Sequence, residues 1–249
     1  MDDAALWIAT AVALVLLATV ATLGLSVYRV RQPRAAVFAL SRAILQLAAL
    51  SVVLTGVLKD PLWVGLGLGV MFVAAVGTAA HRARAGASLA LVLGAAMLVG
   101  PLVTMAIVFL TGAIEFSPRY VLAIGGIVIG NTMTIAILTQ RVFRTSVRDH
   151  WEEVEGWLAL GATPRQSTLD LGRGAIQTAL LPSVDQTRTT GIVVLPGAFV
   201  GAIFAGASPL EAGRFQVVVL ACILAAGVLT AVTLTRLTGA LSQRPELTR

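Results

Sequence analysis

The chain has 249 residues, of which 57% are hydrophobic and only 12% charged, with a mean hydropathy of +0.91. So little polar surface cannot cover a water-soluble core of this size, and part of the solvent must be lipid. The formal net charge of +6 would suggest nucleic acid in a soluble protein, but here the question is where the positive charges sit, and no nucleic-acid partner is expected.

In chain order, Met1-Asp2-Asp3 is acidic, and the apolar run after it is longer than a signal-peptide core and lacks its positive flank, so it reads as a retained first helix. A membrane crossing takes about 20 apolar residues. Candidate spans cover residues 5–28, 36–58, 62–80, 88–111, 120–140, 191–206 and 216–237, the sixth being the shortest. The fold class predicted is all-α, a polytopic membrane protein of about seven transmembrane helices forming one domain over residues 1–249.

Alternate connections between these spans carry Arg29, Arg31, Arg34, Arg82, Arg84, Arg141, Arg144, Arg148, Arg165, Arg173, Arg188, Arg236, Arg244 and Arg249, against Lys59, Arg119 and Arg214 on the other side. By the positive-inside rule the N-terminus lies outside and the C-terminus in the cytosol of a cell inner (plasma) membrane protein. Cys222, the single cysteine, sits in an apolar run and excludes a disulfide framework or a cysteine-based metal cluster. Met71, Met97, Met105 and Met133 are read as gap-fillers, with no metal ligands expected.

Within the spans, Arg42 and Gln46 lie one turn apart on a single face, and Asn131, Thr132 and Thr134 form a second polar group. Arg42 either faces protein or a watery path, or snorkels to the nearby interface. Asn131 either lines a path or bonds to a neighbouring helix. Pro101 after Gly100, and Pro196 before Gly197, can break or bend their spans. The pairs Gly126/Gly130 and Gly197/Gly201 have the small-xxx-small spacing of close helix contacts.

The long polar segment 141–190 carries the strongest signals. Ser146 and Asp149 have capping-box spacing, opening a helix in which Trp151, Val154, Leu158 and Ala162 recur at helical intervals. Gly161 supplies a stop, and Thr163-Pro164-Arg165-Gln166 reads as N-cap, Pro at the first helical position and Gln at the third. A second helix follows and is expected to end or kink at Pro182, with Ser183-Val184-Asp185 leading back to the membrane. The expected result is a cytosolic helix-turn-helix element over 146–182.

Several chemistries are excluded. A phosphate-binding loop needs Lys-Ser or Lys-Thr after its glycines, and the only lysine, Lys59, precedes Asp60, so this polypeptide is not an ATPase. The zinc-protease helix and the Gly-x-Ser-x-Gly elbow are absent, so no enzyme activity and no cofactor are expected. None of the twelve acids is expected well inside a span, Asp185 being placed in the cytosol, which argues against a proton-coupled carrier.

Residues 153–164, with Glu155 six positions before Gly161, resemble the cytoplasmic loop of ATP-binding-cassette permeases, although Leu-Pro follows only at Leu181-Pro182. Together with Ser41-Arg42, Gln46-Leu47, Gly130-Asn131-Thr132-Met133, Leu181 to Asp185, Leu195-Pro196-Gly197 and the run from Ile203 to Pro209, the chain resembles the Fet/YbbM family of permeases from residue 41 onward. The resemblance implies a permease subunit of an ATP-binding-cassette transporter, working as a homodimer with a separate ATPase that binds the ATP. It implies iron or another metal as exported solute, or a nucleotide sugar as in plant aluminium-tolerance relatives. Trp151, Glu153, Glu155, Trp157, Leu158, Gly161, Thr163 and Pro164 become the ATPase-coupling candidates, with Leu160 a further apolar anchor and Arg165 at the rim. Arg42, Gln46, Asn131, Thr132, Thr134, Pro196 and Gly197 become the pathway candidates. An ion-coupled secondary carrier or a membrane scaffold would need no ATPase. An elbow lying on anionic lipid is the other reading of 146–182, opposed by Glu152, Glu153 and Glu155.

Overall fold

The computed structural model describes residues 3–30, 34–57 and 61–245, and every regular element among them is a helix apart from a lone bridge between Thr190 and Val194. Lys59 lies outside the described residues. The chain divides into two compact units between residues 59 and 60.

The first unit is the pair α1 (Asp3–Val27) and α2 (Ala35–Val57), which pack against each other. α1 is apolar all round, and Thr10, Thr19 and Thr22 donate their hydroxyls to the carbonyls of Leu6, Val15 and Ala18 one turn back. Its own backbone thus satisfies the polar atoms, as hydrocarbon surroundings demand.

The second unit holds α3 (Pro61–Arg82), α4 (Ala87–Leu110), α5 (Pro118–Asp149), α6 (Trp151–Ala159), α7 (Pro164–Ser167), α8 (Leu169–Thr189), α9 (Gly197–Phe204) and α10 (Pro209–Thr238). α10 is central, touching α4, α5, α8 and α9. It approaches α4 so closely that a Cβ on Gly100 would lie 2.5 Å from the Ala226 carbonyl oxygen, a contact only glycine permits. Leu93, Ala96 and Met97 of α4 pack with Ala79 of α3, Ile129 of α5 and Leu234 of α10, all buried. Met97 is thus the gap-filler expected of it. The close α3–α5 contact falls at Gly125, against Leu68, and Gly126, against Met71. Gly130, Gly197 and Gly201 face open space, so their predicted close packing is not made within the described chain.

Among the described residues five helices, α1, α3, α4, α5 and α10, are long and apolar enough to cross a membrane, and the apolar part of α2, Ala35–Ser51, is a shorter sixth. The chain is a polytopic all-α membrane protein. The sixth crossing departs from expectation, because residues 191–206 do not form one helix: α9 has eight residues, about 12 Å, against the ~30 Å of a bilayer core. α9 follows α8 after an irregular turn at 190–196.

α8 is not a free cytosolic helix. It runs antiparallel to α10, with Gly172 against Thr235 and Leu180 against Gly227, and its Ala175 and Ala179 are buried against α5 and α10. It also continues through Pro182 to Thr189 instead of ending there. The other corrected boundary is Ser146, which lies inside α5, its carbonyl accepting from the amide of His150, so that α6 begins only after the bend at His150.

Candidate functional site

At the arginine-rich end of the second unit, α6 folds against α5 through Val154, which is buried with Phe143, Val147 and Ala175, while Trp151, Leu158 and Leu171 pack around them. Trp151 and Leu158 are therefore turned to the protein's own core rather than outward, since the helical stripe that carries them is the one that closes on α5. What remains outward is Trp157 at 52% exposure and Leu160 at 82%, beside Glu153 and Glu155. Trp157, Leu160, Gly161, Glu153, Asp170 and Arg173 line a shallow hollow of about 470 Å³.

The turn between α6 and α8 has the chemistry read from the sequence. Gly161 takes φ +90°, a left-handed position that other residues rarely occupy. Thr163 and Gln166 form a complete capping box, the Thr163 hydroxyl accepting from the Gln166 amide and the Gln166 side chain accepting from the Thr163 amide, with Pro164 at the first helical position. The helix so capped is short, ending at Ser167 before α8. Two bonds then tie this turn to the end of α10. The Thr168 hydroxyl donates to the Gly239 carbonyl, and the Arg165 guanidinium to the Arg236 carbonyl at 3.0 Å. Arg165, expected at the rim of a partner groove, is thus engaged within the chain.

The pathway candidates separate. Thr132 is fully buried and donates to the Ile129 carbonyl, so it faces the core and does not line a path. Asn131 is half-buried and donates to Ile127, while Gly130 and Thr134 are exposed on the same helix. Arg42 and Gln46 are exposed on α2, in the other unit. Pro196 is the N-cap of α9 and Gly197 its first residue, both at the break in the sixth crossing. Among the described residues no three His, Cys, Asp or Glu side chains converge as a metal site.

The polar group missing from the expected set lies on the C-terminal half of α8. Continuing the register that sets Leu180 against Gly227, Asp185 is level with Cys222 and Arg188 with Val219 of α10. By 1.5 Å per residue, Asp185 is about 12 Å from the depth of Arg214 and about 21 Å from that of Arg236, the charges bounding the apolar part of α10. Asp185 and Arg188 pair at 3.7 Å and both stay largely exposed. Asp185 and Arg188, expected in the cytosol, thus lie alongside the apolar stretch of α10 by this register. The segment is too polar to read as a span, and its place beside α10 comes from packing on α5 and α10. Only the i, i+3 spacing of the two charges could have hinted at the pair.

These features define a multi-pass membrane protein with a buttressed helical elbow at one end. The profile described as uncharacterised protein family UPF0014 matches residues 6–241, and the chain belongs to that family. It is 36% identical over 203 residues to Protein ALUMINUM SENSITIVE 3 of Arabidopsis thaliana, covering 81% of this chain and 74% of the relative. It is 37% identical over 202 residues to the UPF0014 membrane protein STAR2 of Oryza sativa subsp. japonica, covering 80% and 71%. It is 40% identical over 124 residues to the probable iron export permease protein FetB of Escherichia coli, covering 50% of this chain and 48% of that one. No solved structure matches.

Proposed function

We propose that the chain is the transmembrane permease subunit of an ATP-binding-cassette transporter, working as two copies with a separate ATPase and exporting iron or another metal. The observation that carries this reading is the elbow. One face of it is fixed to α5 and α10 by Val154, Thr168 and Arg165, while Trp157 and Leu160 stand exposed over a hollow with acidic neighbours. An element that transmits force between subunits has to be stiff, continuous with crossing helices and able to dock, and aromatic and aliphatic anchors in a hollow suit docking. The ATPase-coupling role expected of residues 146–182 is assigned, within a single permease domain, to α6 and the turn that follows it, with Trp157, Leu160, Gly161, Glu153 and Glu155 at the contact.

The arginine-rich end is assigned to the cytosol. Arg82, Arg84, Arg141, Arg144 and Arg148 gather there around one hollow, whereas Arg119 and Arg214 lie at the opposite end. The C-terminus is then cytosolic and the N-terminus outside. Iron as solute draws on the name of the Escherichia coli relative, and the aluminium-related name of the Arabidopsis relative fits a metal-handling role.

Affinity purification of the full chain from its own membranes tests the reading: a phosphate-loop ATPase should co-purify in stoichiometric amount. Cellular iron, and sensitivity to iron plus peroxide, should change when the gene is removed. If both stay unchanged, another solute such as a nucleotide sugar takes its place. A second reading, an ion-coupled carrier, is favoured by one observation, the carboxylate of Asp185 on a helix packed along the apolar stretch of α10. Such a carrier would retain flux with no ATPase present.

A further inference from the structure

α8 lies beside α5 and α10 at the depth of their apolar stretches, yet its composition is not that of a lipid-facing helix. Its inner face, Gly172, Ala175, Ala179 and Ser183, is buried. The opposite face is an exposed stripe at helical spacing, Gly174, Gln177, Thr178, Leu181, Asp185 and Arg188. The exposed large residues of α4, Leu91, Leu98, Leu102, Val103, Ile107 and Leu110, are all hydrocarbon, as a lipid contact requires. A carboxylate and a guanidinium, 63% and 74% exposed at this depth, cannot be left against lipid tails without a large free-energy cost. Something polar covers them.

We infer that this stripe faces the same stripe of a second copy of the chain across a two-fold axis along the membrane normal, so that the two α8 helices wall a path between the copies. The inference rests on the permease reading and adds to it where the copies meet. A two-fold contact has to be self-complementary, and a stripe bearing both an acid and a base one turn apart is. Related helices keep each residue at one depth, which brings Arg188 within a turn of the partner's Asp185. Within the chain, the alternative cover is the α1–α2 pair, whose described membrane residues offer one charge, Arg42, and no acid to meet Arg188. The irregular turn at 190–196, where backbone groups leave helical pairing, continues the same wall.

Two measurements on the full chain in native membranes test this. With the buried Cys222 replaced by alanine, Leu181→Cys should form an oxidant-induced, reductant-sensitive dimer, and Leu102→Cys on α4 should not. A stripe covered by its own chain, or bare to lipid, leaves Leu181→Cys no more dimeric than that control and overturns the inference. In differently tagged copies, Asp185→Arg and Arg188→Asp should each lower self-association by about tenfold or more, through like charges facing across the axis. Co-expressing the two variants should restore it. Single variants that associate normally, or a co-expressed pair that stays apart, contradict the inference. Neither readout involves an ATPase, so co-purification of one with a failed cross-link rejects only the interface.

Discussion

The hydroxyl of Thr168 donates to the carbonyl of Gly239, 71 residues later, fastening the start of α8 to the end of α10. Together with the Arg165 bond to Arg236 it makes the elbow and the central helix one mechanical piece. Thr168→Val keeps the shape and removes this tie, leaving the Gly239 carbonyl only the Leu241 amide. The expected loss is about 1 kcal/mol, seen as a fall of roughly 2–4 °C in the thermal midpoint of detergent-solubilised protein. A larger loss is expected in coupling, measured as solute moved per ATP hydrolysed with the partner ATPase present.

The two tryptophans of α6 should behave oppositely. Trp151 packs around Val154 and Phe143, and Trp151→Ala should destabilise the chain by about 2–3 kcal/mol, less than a fully buried aromatic because the side chain keeps some exposure. Trp157 is 52% exposed, and Trp157→Ala should leave thermal stability unchanged while weakening ATPase binding by about 30-fold, or ~2 kcal/mol, as an anchor residue would. Co-purification and thermal unfolding, measured side by side on both variants, check the contrast.

Gly161→Val places a β-branched side chain at φ +90°, with an expected strain of about 1–2 kcal/mol. Nothing lies within 4 Å of the added Cβ, so the effect should be on the path of the turn and not on packing. Gly161→Asn, which tolerates the left-handed region better, should recover most of the ATPase binding lost in Gly161→Val.

Gly100→Ala puts a methyl 2.5 Å from the Ala226 carbonyl oxygen, a backbone clash that side-chain adjustment cannot relieve. Separation of α4 from α10 should cost about 1–3 kcal/mol. Gly130→Ala meets open space and should leave stability within about 0.5 kcal/mol. Detergent thermal unfolding of the pair distinguishes a packing glycine from an exposed one.

The membrane class and the turn at 161–166 could be read from residues because both depend on local chemistry: hydropathy over about 20 positions, a positive-φ glycine, a capping box. The sixth crossing could not. Residues 183–189 contain Asp, Gln, Thr and Arg, so hydropathy places them in water, and their place beside α10 follows only from the small residues Gly172, Ala175 and Ala179 closing on α5 and α10. The same limit applied to α6. Helical spacing identified Trp151, Val154 and Leu158 as one apolar stripe but not whether α5 or another polypeptide receives it. Ser146 misled for a related reason: a capping-box spacing inside an otherwise continuous helix has no effect when the backbone amides already have their partners.

The most direct measurement is solute flux through the chain in proteoliposomes, with and without its ATPase and ATP, under an imposed proton or sodium gradient. The account predicts flux that requires ATP hydrolysis and is lost when the ATPase is omitted, whatever the gradient. Sustained flux driven by the gradient alone, with no ATPase present, would contradict it.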